Sequence, residues 1–382
     1  MARKRGWSLK TAIRQAALDL GFDSMAVSPL SVPAREARAL EEWCREGRHG
    51  DMAYMERTLK VRTHPEDLFR EAQSLLTLGV SYGSEDPPPS PAPQGAWGRV
   101  ARYAWGLDYH DVIQDRLQRL CFQIEKIRGK PFSSRLVTDA QPLLERAFAF
   151  EAGLGFYGKN TNIIVPGGGS WLFLAEIILD FSLEPDGPPQ TQGCGSCRLC
   201  VSACPTGALS GDYRMDARKC ISYLTIENKG VIPHEFRKSM GSWIFGCDIC
   251  QECCPYNAIP RESRWPEFSA RNGVGPWLDL REVLSLRTPE QFSRRFKGTA
   301  LTRPKRKGLL RNACVVAGNH PSGELIPFLS AALREDPESL VRAHAAWALG
   351  RTPDARRFLK TAWESESQET VRNEIELALQ AA

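Results

Sequence analysis

The chain has 382 residues, of which 25% are charged and 42% are apolar, and its net charge is +5. This composition excludes a chain that is disordered throughout, because there is ample apolar material to bury, and the mild charge excludes a polybasic protein. Twelve cysteines in a chain of this length also exclude a small disulfide scaffold, which is short and dense in cysteine.

The first 190 residues alternate between helical and strand patterns. Segment 8–20 has apolar residues at helical spacing, with Ser8 as the cap and Gly21 as its end. Further patterns predict helices at 33–47 and 108–128, strands at 22–30, 74–82 and 135–139, and a proline-rich surface loop at 85–98. Segments 161–166 and 170–180 predict a β-hairpin joined through three glycines. This mixture indicates an α/β or α+β fold.

The beginning of the chain is basic, but Lys10 and Arg14 interrupt any apolar segment. We therefore expect no secretory signal peptide. The most apolar stretch, residues 171–181, contains two acids and falls far short of the ~20 residues that a membrane helix needs. The protein is expected to be cytoplasmic and to have no membrane contact, so that its thiols stay reduced.

Nine of the twelve cysteines lie between residues 194 and 254. The first run has the spacing C-x2-C-x2-C-x3-C-P of bacterial ferredoxins, in which three thiolates bind one [4Fe–4S] cluster and the fourth binds the other cluster. The second run is one ligand shorter, and Cys220 is the available replacement. The expected ligands are Cys194, Cys197, Cys200 and Cys254 for the first cluster, and Cys204, Cys220, Cys247 and Cys250 for the second.

Two alternatives bear on this ligand set. Cys253 is left over and could replace Cys254, although the Cys-x3-Cys-Pro spacing favours Cys254. Zinc also binds Cys-x2-Cys pairs, but two runs that each end in Cys-Pro favour iron–sulfur clusters. The sequence therefore predicts two neighbouring clusters that carry single electrons.

The C-terminal third is helical, and three of its segments look alike: 310–318, 341–350 and 371–380. A period near 30 residues indicates stacked helix pairs of the HEAT type, although Ala-rich helices can also look alike by coincidence. Segment 294–311 contains eight Lys or Arg residues and no acid. Such a stretch attracts nucleic-acid phosphates, and the alternative is a solvated linker.

For several candidate residues, the evidence for a functional role is weaker when each residue is taken alone. Asp139 follows an apolar strand, where a carboxyl group with a raised pKa could act as a general acid, or could simply cap a turn. Residues 108–113 begin like the cobalamin motif Asp-x-His-x-x-Gly, but Ile113 occupies the glycine position. His110 is therefore interpreted as a surface histidine at a helix start. Lys159, Asn160 and Thr161 form a polar group that would otherwise be a turn.

Taken together, several segments resemble the bacterial epoxyqueuosine reductase family over most of the chain. The specific ones are 102–113, 138–161, 169–177, 194–209, 216–230 and 244–257. The resemblance implies an α+β fold with three parts: a nitroreductase-like cobalamin-binding domain (1–190), a ferredoxin-type domain with two [4Fe–4S] clusters (191–262) and a helical HEAT-like domain (263–382).

The resemblance also implies the reaction. The family reduces the epoxide of epoxyqueuosine at the wobble position of tRNA, which gives queuosine, and it uses cobalamin together with the two clusters. The resemblance implies that Asp139 is the proton donor. The family's cobalamin contacts fall on Arg62, Tyr103, Asp139, Lys159, Asn160, Thr161, Ser222 and Asp248. The incomplete cobalamin motif agrees with a cofactor that has no histidine beneath its cobalt.

The resemblance implies as partners a tRNA with a queuosine-type anticodon stem-loop and an external one-electron donor such as flavodoxin or ferredoxin, and we expect a monomer. Segment 294–311 and the arginines of the repeats become the expected contacts to the tRNA backbone. The main alternative is a cobalamin-dependent reductive dehalogenase-like enzyme that acts on a small molecule. The sequence also leaves open an electron carrier with no substrate of its own and an RNA-binding module whose clusters are purely structural.

Overall fold

The computed structural model describes residues 7–83, 96–187, 193–211 and 213–381. Most of the predicted loop at 85–98 lies outside these ranges, and its last two residues begin a strand. Up to residue 187 the helices are α1 (Leu9–Asp19), α2 (Ala34–Arg45), α3 (Tyr54–Arg57), α4 (Leu59–Thr63), α5 (Tyr109–Arg128) and α6 (Glu145–Glu151). The strands are β1 (Ser24–Ser28), β2 (Ser74–Ser81), β3 (Trp97–Val100), β4 (Ser134–Val137), β5 (Phe156–Tyr157), β6 (Ile163–Ile164) and β7 (Leu172–Leu179).

Beyond residue 193 the structure is mainly helical. The helices are α7 (Leu199–Ala203), α8 (Ile221–Ile226), α9 (His234–Arg237), α10 (Ile249–Glu252), α11 (Leu280–Leu284), α12 (Pro289–Phe296), α13 (Lys305–Asn319), α14 (Ile326–Glu335), α15 (Ser339–Gly350), α16 (Arg356–Ser365) and α17 (Glu369–Ala381). Two short strands, β8 (Trp243–Phe245) and β9 (Trp277–Asp279), complete it.

A four-stranded antiparallel sheet in the order β1-β2-β7-β4 forms the centre of the first part. The predicted strand at 74–82 becomes β2, which is buried along its whole length because layers cover both faces. Helices α1 and α5 pack on one face of the sheet, and α6 covers the other. The predicted helix at 8–20 is confirmed as α1, with Ser8 accepting a hydrogen bond from the Thr11 amide. The α+β class is therefore confirmed.

The predicted β-hairpin at 161–180 is wrong. Strand β6 pairs with β5, whereas β7 crosses to the central sheet between β2 and β4. Only an isolated bridge between Val165 and Gly169 links the two predicted strands. The two apolar runs are each strand-forming, but pairing with long buried neighbours gives β7 far more apolar contact than a short hairpin could.

A second, three-stranded sheet joins all three predicted parts of the chain. Strand β3 lies between β8, from the cysteine-rich part, and β9, from the beginning of the helical part. The apolar core also continues from the first part into the helices of the last. The predicted boundaries at 190 and 262 remain predictions, because these parts share a sheet and a core.

The three similar C-terminal segments become α13, α15 and α17, which stack in that order with α14 and α16 packed beside them. Nearly all of α13 after Gly308 is buried. It therefore joins the repeats to the rest of the molecule instead of presenting an outer surface. Within the described ranges no helix combines the length and apolar character needed to cross a membrane.

Candidate functional site

Asp139 lies on the loop between β4 and α6, and its side chain is 64% exposed. Its φ of 52° lies in the left-handed region, which residues other than glycine seldom adopt. The Asp139 amide donates to Glu145 Oε1 at 2.5 Å, which holds this conformation. The carboxyl group consequently lies at the surface and is accessible to a ligand.

Two residues at the start of α5 contact this carboxyl group. Tyr109 Oη donates to Asp139 Oδ2 at 2.5 Å, and His110 Nε2 lies 3.7 Å from the same oxygen. Asp108, the N-cap of α5, lies 2.8 Å from His110 Nδ1 and so fixes the orientation of the imidazole ring. His110 does stand at a helix start, as expected, but its interpretation as a plain surface histidine misses this contact.

The electrostatics place the proton on His110. Burial alone lowers the pKa of His110, but its hydrogen bond to Asp108 and its contact with the Asp139 carboxylate outweigh this effect and raise the pKa to about 9. Burial alone raises the pKa of Asp139, yet the contact with His110 and the hydrogen bond from Tyr109 bring it below its usual value. The expectation of a raised pKa at Asp139 is therefore wrong for this state. The three groups form one proton-bearing unit with the charge on His110.

The clustered cysteines form two neighbouring groups. Burial raises the pKa of the Cys254 thiol, and the charges of Cys194 and Cys197 raise it further. Burial likewise raises the pKa of Cys247, and Cys220 and Cys204 add to it. By such contacts one group contains Cys194, Cys197, Cys200, Cys253 and Cys254, and the other contains Cys204, Cys220, Cys247 and Cys250. These are the two predicted ligand sets, with Cys253 beside the first.

Lys159 and Asn160 connect the first part to these thiols. The Lys159 amide donates to Cys194 Sγ at 3.4 Å, and its ammonium group donates to the carbonyl oxygens of Gly195 and Cys197 at 2.7 and 2.9 Å. Asn160 Nδ2 donates to the Cys250 carbonyl oxygen at 3.3 Å. Both side chains thus hold the loops of the two cysteine groups, a role that the turn interpretation did not foresee.

Two further predicted cofactor contacts, Arg62 and Tyr103, lie near the Asp139 loop. Arg62 donates to the Leu143 carbonyl oxygen at 3.3 Å, at the edge of the Asp139 loop. Tyr103 packs edge-on against Tyr109, and its pKa is raised by burial and then by the charges of Asp139 and Asp248. Tyr103 therefore lies between the reactive loop and the thiol groups.

The remaining predicted contacts lie near the second thiol group or on the turn between β5 and β6. Asp248 is buried next to Cys247, and burial raises its pKa to about 7 although its carboxylate accepts the Arg102 amide. Ser222 lies in α8 two residues after Cys220. Thr161 has a φ of 67°, and its carbonyl oxygen accepts Arg146 Nη1 at 2.7 Å.

Most of the basic residues expected to contact RNA are already paired. Arg311 is fully buried and donates to the carbonyl oxygens of Leu224, Asn228 and Gly230. The other paired side chains are Arg295 with Glu282, Arg303 with Glu227, Arg306 with Asp336, Lys307 with Glu338 and Arg342 with Glu366. The expectation that the repeat arginines bind the tRNA backbone is therefore wrong for Arg311, which is fully buried, and stays a prediction for Arg342. Arg294, Lys297 and Lys305 are exposed.

Comparisons with known proteins agree with this site. Family models match residues 62–140 (epoxyqueuosine reductase QueG, DUF1730), 193–257 (4Fe-4S double cluster binding domain) and 299–380 (HEAT repeats). An epoxyqueuosine reductase of Xanthomonas campestris is 39% identical over 92% of this chain and 98% of its own length. That of Pseudomonas aeruginosa is 40% identical over 90% of this chain and 94% of its own length. This chain belongs to the epoxyqueuosine reductase family.

Solved structures of epoxyqueuosine reductases match over nearly the whole chain. One contains an epoxyqueuosine-modified stem loop of tRNA-Tyr, with 30% identity, a TM-score of 0.88 and 98% of both chains covered. Another, from Bacillus subtilis, is described with its catalytic aspartate loop swung out of the active site, at 29% identity, a TM-score of 0.86 and the same coverage. Relatives of this kind do not favour the dehalogenase-like alternative.

The cofactors of this epoxyqueuosine reductase family member are two [4Fe–4S] clusters and cobalamin. The residues present fit them. Eight thiols in two adjacent groups match the donor set of two clusters, and iron–sulfur binding replaces the zinc alternative. The Thr138 hydroxyl, next to Asp139, is buried and has no hydrogen-bond partner within the described ranges. An unpaired buried group of this kind suits a cofactor rich in side-chain amides.

Proposed function

We propose that this chain reduces the epoxide of epoxyqueuosine in the wobble position of tRNA to give queuosine. The observation that carries the proposal is the likeness, over 98% of both chains, to an epoxyqueuosine reductase that holds an epoxyqueuosine-modified stem loop. The reaction needs two electrons and two protons and releases one water molecule. The protein therefore has to supply electrons singly and a proton at the epoxide oxygen.

The two [4Fe–4S] clusters conduct single electrons, and cobalamin supplies a low-valent cobalt centre for the two-electron reduction. We propose that the first cluster is held by Cys194, Cys197, Cys200 and Cys254, and the second by Cys204, Cys220, Cys247 and Cys250. The placement of Cys200 near Cys250 supports transfer between the two groups. Lys159 and Asn160 hold the loops of the two cysteine groups against the first part of the chain, which also carries Asp139.

The cobalamin contacts are proposed to be Arg62, Tyr103, Asp139, Lys159, Asn160, Thr161, Ser222 and Asp248. They extend from the Asp139 loop, past Tyr103, to the second thiol group. Tyr103 would supply an aromatic surface for cobalamin, and Arg62 would supply a guanidinium group for its polar side chains.

Asp139 is the proposed proton donor, acting together with Tyr109 and His110. Its exposed carboxyl group meets the substrate, while the proton is held at His110 until negative charge develops on the epoxide oxygen. Transfer through Asp139 Oδ2 then leaves His110 neutral and Asp139 ionised, ready for the next proton from solvent. A movable aspartate loop in a relative supports this role for the loop.

The finer partner assignments are also proposals. A tRNA substrate supports a location in the cytoplasm, and a small reduced flavoprotein or ferredoxin there is the proposed electron donor. The protein is proposed to act as a monomer. The proposed contacts to phosphates of the RNA backbone are three exposed cations in or next to α12 and α13: Arg294, Lys297 and Lys305.

The test is a single-turnover assay with the reconstituted and reduced protein. It is incubated with an epoxyqueuosine-containing anticodon stem loop, and the nucleosides are analysed by mass spectrometry. Loss of one oxygen from the modified nucleoside is expected. An unchanged nucleoside mass, with both clusters and cobalamin present by absorption spectroscopy, would overturn the proposed reaction. Dehalogenation of a halogenated phenol under the same conditions would instead favour the dehalogenase-like alternative.

A further inference from the structure

Two carboxyl groups lie beneath the Asp139 loop, and the mechanism above uses neither. Glu145 is partly buried as the first residue of α6, and Glu176 is completely buried in the middle of β7. Neither carboxyl oxygen of Glu176 meets a hydrogen-bond donor within the described ranges. A buried carboxylate without a donor is strongly disfavoured, so this arrangement needs an explanation.

The sheet register explains why the two groups meet. Glu176 lies opposite Thr77 on β2 and Val137 on β4, and directly paired residues share a face of the sheet. Val137 packs against Phe148 of α6, so this is the face that α6 covers. The side chain of Glu176 therefore points towards the beginning of α6, where Glu145 lies within hydrogen-bond reach.

The two groups must hold a proton. If both were ionised, two adjacent buried carboxylates would only repel each other, whereas a proton between them turns the same contact into a hydrogen bond. Burial, and then the charge of Asp139, raises the pKa of Glu145 above its usual value. Burial, and then the charge of Glu145, raises the pKa of Glu176 well above its usual value. The proton therefore resides mainly on Glu176, which donates it to Glu145.

Nearby cations do not neutralise the pair. The Arg146 guanidinium is bonded to the Thr161 carbonyl oxygen, and Arg62 is bonded to Thr58 and to the Leu143 carbonyl oxygen. No ion pair to Glu145 or Glu176 is found in the described part of the chain. The shared proton is thus the means by which this site accommodates two acids.

The pair also acts on Asp139. Glu145 Oε1 accepts the Asp139 amide at 2.5 Å, and this bond secures the left-handed backbone at Asp139. The bond from Glu176 in turn fixes the Glu145 carboxyl group. The position of the Asp139 carboxyl group therefore depends on a chain of hydrogen bonds that begins in the middle of the sheet.

We propose that Glu145 and Glu176 are positioning residues for the epoxide reduction, which together hold one proton and so lock the Asp139 loop with its carboxyl group facing the substrate. The proposal rests on the proposed function of Asp139. Neither glutamate touches substrate, and neither is required to release its proton during turnover. The lock is a property of the resting protein and can be observed without substrate.

The first measurement is infrared spectroscopy of the protein at neutral pH. A carbonyl band of protonated buried carboxyl groups is expected, and the part of it that belongs to Glu176 should disappear in Glu176→Gln, whereas the contribution of Asp248, whose pKa is about 7, should remain. Glu71→Gln, at an exposed site, should leave the band unchanged. Absence of the Glu176 part of the band in the wild-type protein would overturn the shared proton. This readout does not depend on turnover, so its result stands even if the proposed reaction fails.

The second measurement is the single-turnover rate of two variants at Glu145. Gln keeps an oxygen for the Asp139 amide and an N–H for Glu176, so the rate of Glu145→Gln should stay within about threefold of wild type. Leu provides neither, so Glu145→Leu should lower the rate at least about tenfold with little change in KM, as loss of a hydrogen bond to a catalytic loop would. Iron content and cobalamin absorption serve as folding controls.

The outcomes of these measurements separate a positioning role from a catalytic one. If Glu145→Gln is as slow as Glu145→Leu, the carboxyl group itself takes part in proton transfer, and the positioning role is overturned. If Glu145→Leu is as fast as wild type, the lock has no effect on the reaction, and the proposal is overturned as well. If the wild-type protein is inactive while the Glu176 part of the infrared band is present, the proposed function has failed and the carboxyl pair has not.

Discussion

Tyr109 Oη and Asp139 Oδ2 are joined by a hydrogen bond of 2.5 Å, across the gap between α5 and the loop that follows β4. The Tyr109 ring is stacked on Phe173 of the central sheet and on His110, with centroids 4.5 and 4.0 Å apart. A rigidly packed phenol thus holds the Asp139 carboxyl beside the imidazole that carries the proton. The pairing gives Asp139 a defined position although its side chain is largely exposed.

Asp139→Ala removes the group that is proposed to meet the epoxide oxygen. We expect the single-turnover rate to fall by about 10²-fold or more, the usual size of a lost general acid. Because Asp139 is not proposed to bind iron, the iron content and the cluster absorption should remain as in wild type, and cobalamin should still bind through its other proposed contacts. Asp139→Asn is the matched control for shape, and it should be as slow as the Ala variant. Normal turnover in either variant would remove Asp139 as the acid.

Tyr109→Phe keeps the stacked ring and deletes only the hydroxyl group. A hydrogen bond to a charged group contributes about 1.5–3 kcal/mol, so the rate should fall about 10- to 100-fold with KM for the stem loop little changed. Tyr213→Phe, at an exposed position, is the control and should behave as wild type. A large change in KM without a change in kcat would show that the hydroxyl binds the substrate instead of holding Asp139.

The rate should depend on pH through His110. Its pKa is about 9 in the folded protein, above the ordinary value of 6.5, so the imidazolium form is present at neutral pH and is lost as the pH rises through about 9. The single-turnover rate should therefore fall along an alkaline limb, and the stability that His110 gains from Asp108 and Asp139 should fade over the same range. The limb is to be measured between pH 7 and about 10.

His110→Gln is the partner variant for that profile. Gln can still donate to Asp139 but does not titrate, so the residual rate should be lower than wild type and should lack the part of the limb that His110 causes. The shared proton of Glu145 and Glu176, whose pKa values are both raised, can also be lost at alkaline pH. Repeating the profile in Glu145→Gln separates the two contributions. A wild-type rate that does not change up to about pH 10 would contradict the assignment of the proton to His110.

Adjacent cysteines at 253 and 254 make a direct test of the ligand assignment. Cys253→Ala should retain about eight iron atoms per chain, the content of two [4Fe–4S] clusters. Cys254→Ala should lose the iron and the absorption of one cluster. Cys44→Ala, a buried cysteine far from both groups in sequence, is the control and should keep all the iron. The reverse pattern for the two adjacent variants would transfer the ligand role to Cys253.

Local patterns in the sequence were sufficient for much of the fold and for the cysteine groups. Ser8 and the spacing of apolar residues locate α1, and the Cys-x2-Cys runs locate the thiols. Each of these patterns is made of residues that lie close together in the sequence. The partner of β7 could not be predicted in the same way. It depends on the competition between a nearby β6 and the distant β2 and β4, and strand pairing at long range leaves no local signal.

The proton-bearing unit was missed for a similar reason. His110 and Asp139 are 29 positions apart, and only the packing of α5 against the sheet brings them together. Glu145 and Glu176 likewise look like ordinary surface and strand acids in sequence. One signal was available: Glu176 is a lone acid in an otherwise apolar strand that reads as fully buried, and a buried acid needs a partner.

Arg311 is expected to stabilise the fold and not to bind RNA. Arg311 is buried, burial lowers its pKa to about 10, and its guanidinium group binds carbonyl oxygens of α8 and of the segment that follows it. Arg311→Ala leaves several of those oxygens without donors, at about 1–3 kcal/mol for each. We therefore expect the free energy of unfolding to fall by at least about 3 kcal/mol, and the affinity of the remaining folded protein for the stem loop to be unchanged.

Lys297 gives the opposite expectation, because its side chain is exposed at the end of α12. Lys297→Ala should leave the unfolding free energy unchanged within about 0.5 kcal/mol, as is usual for surface sites. If this ammonium group meets a phosphate, the variant should bind the stem loop more weakly, and the slope of log K against log salt should decrease by about one. Chemical denaturation and a salt titration of binding are measured for both variants. A weaker affinity with an unchanged fold in Arg311→Ala would return this arginine to the RNA interface, and an unchanged salt slope in Lys297→Ala would remove Lys297 from it.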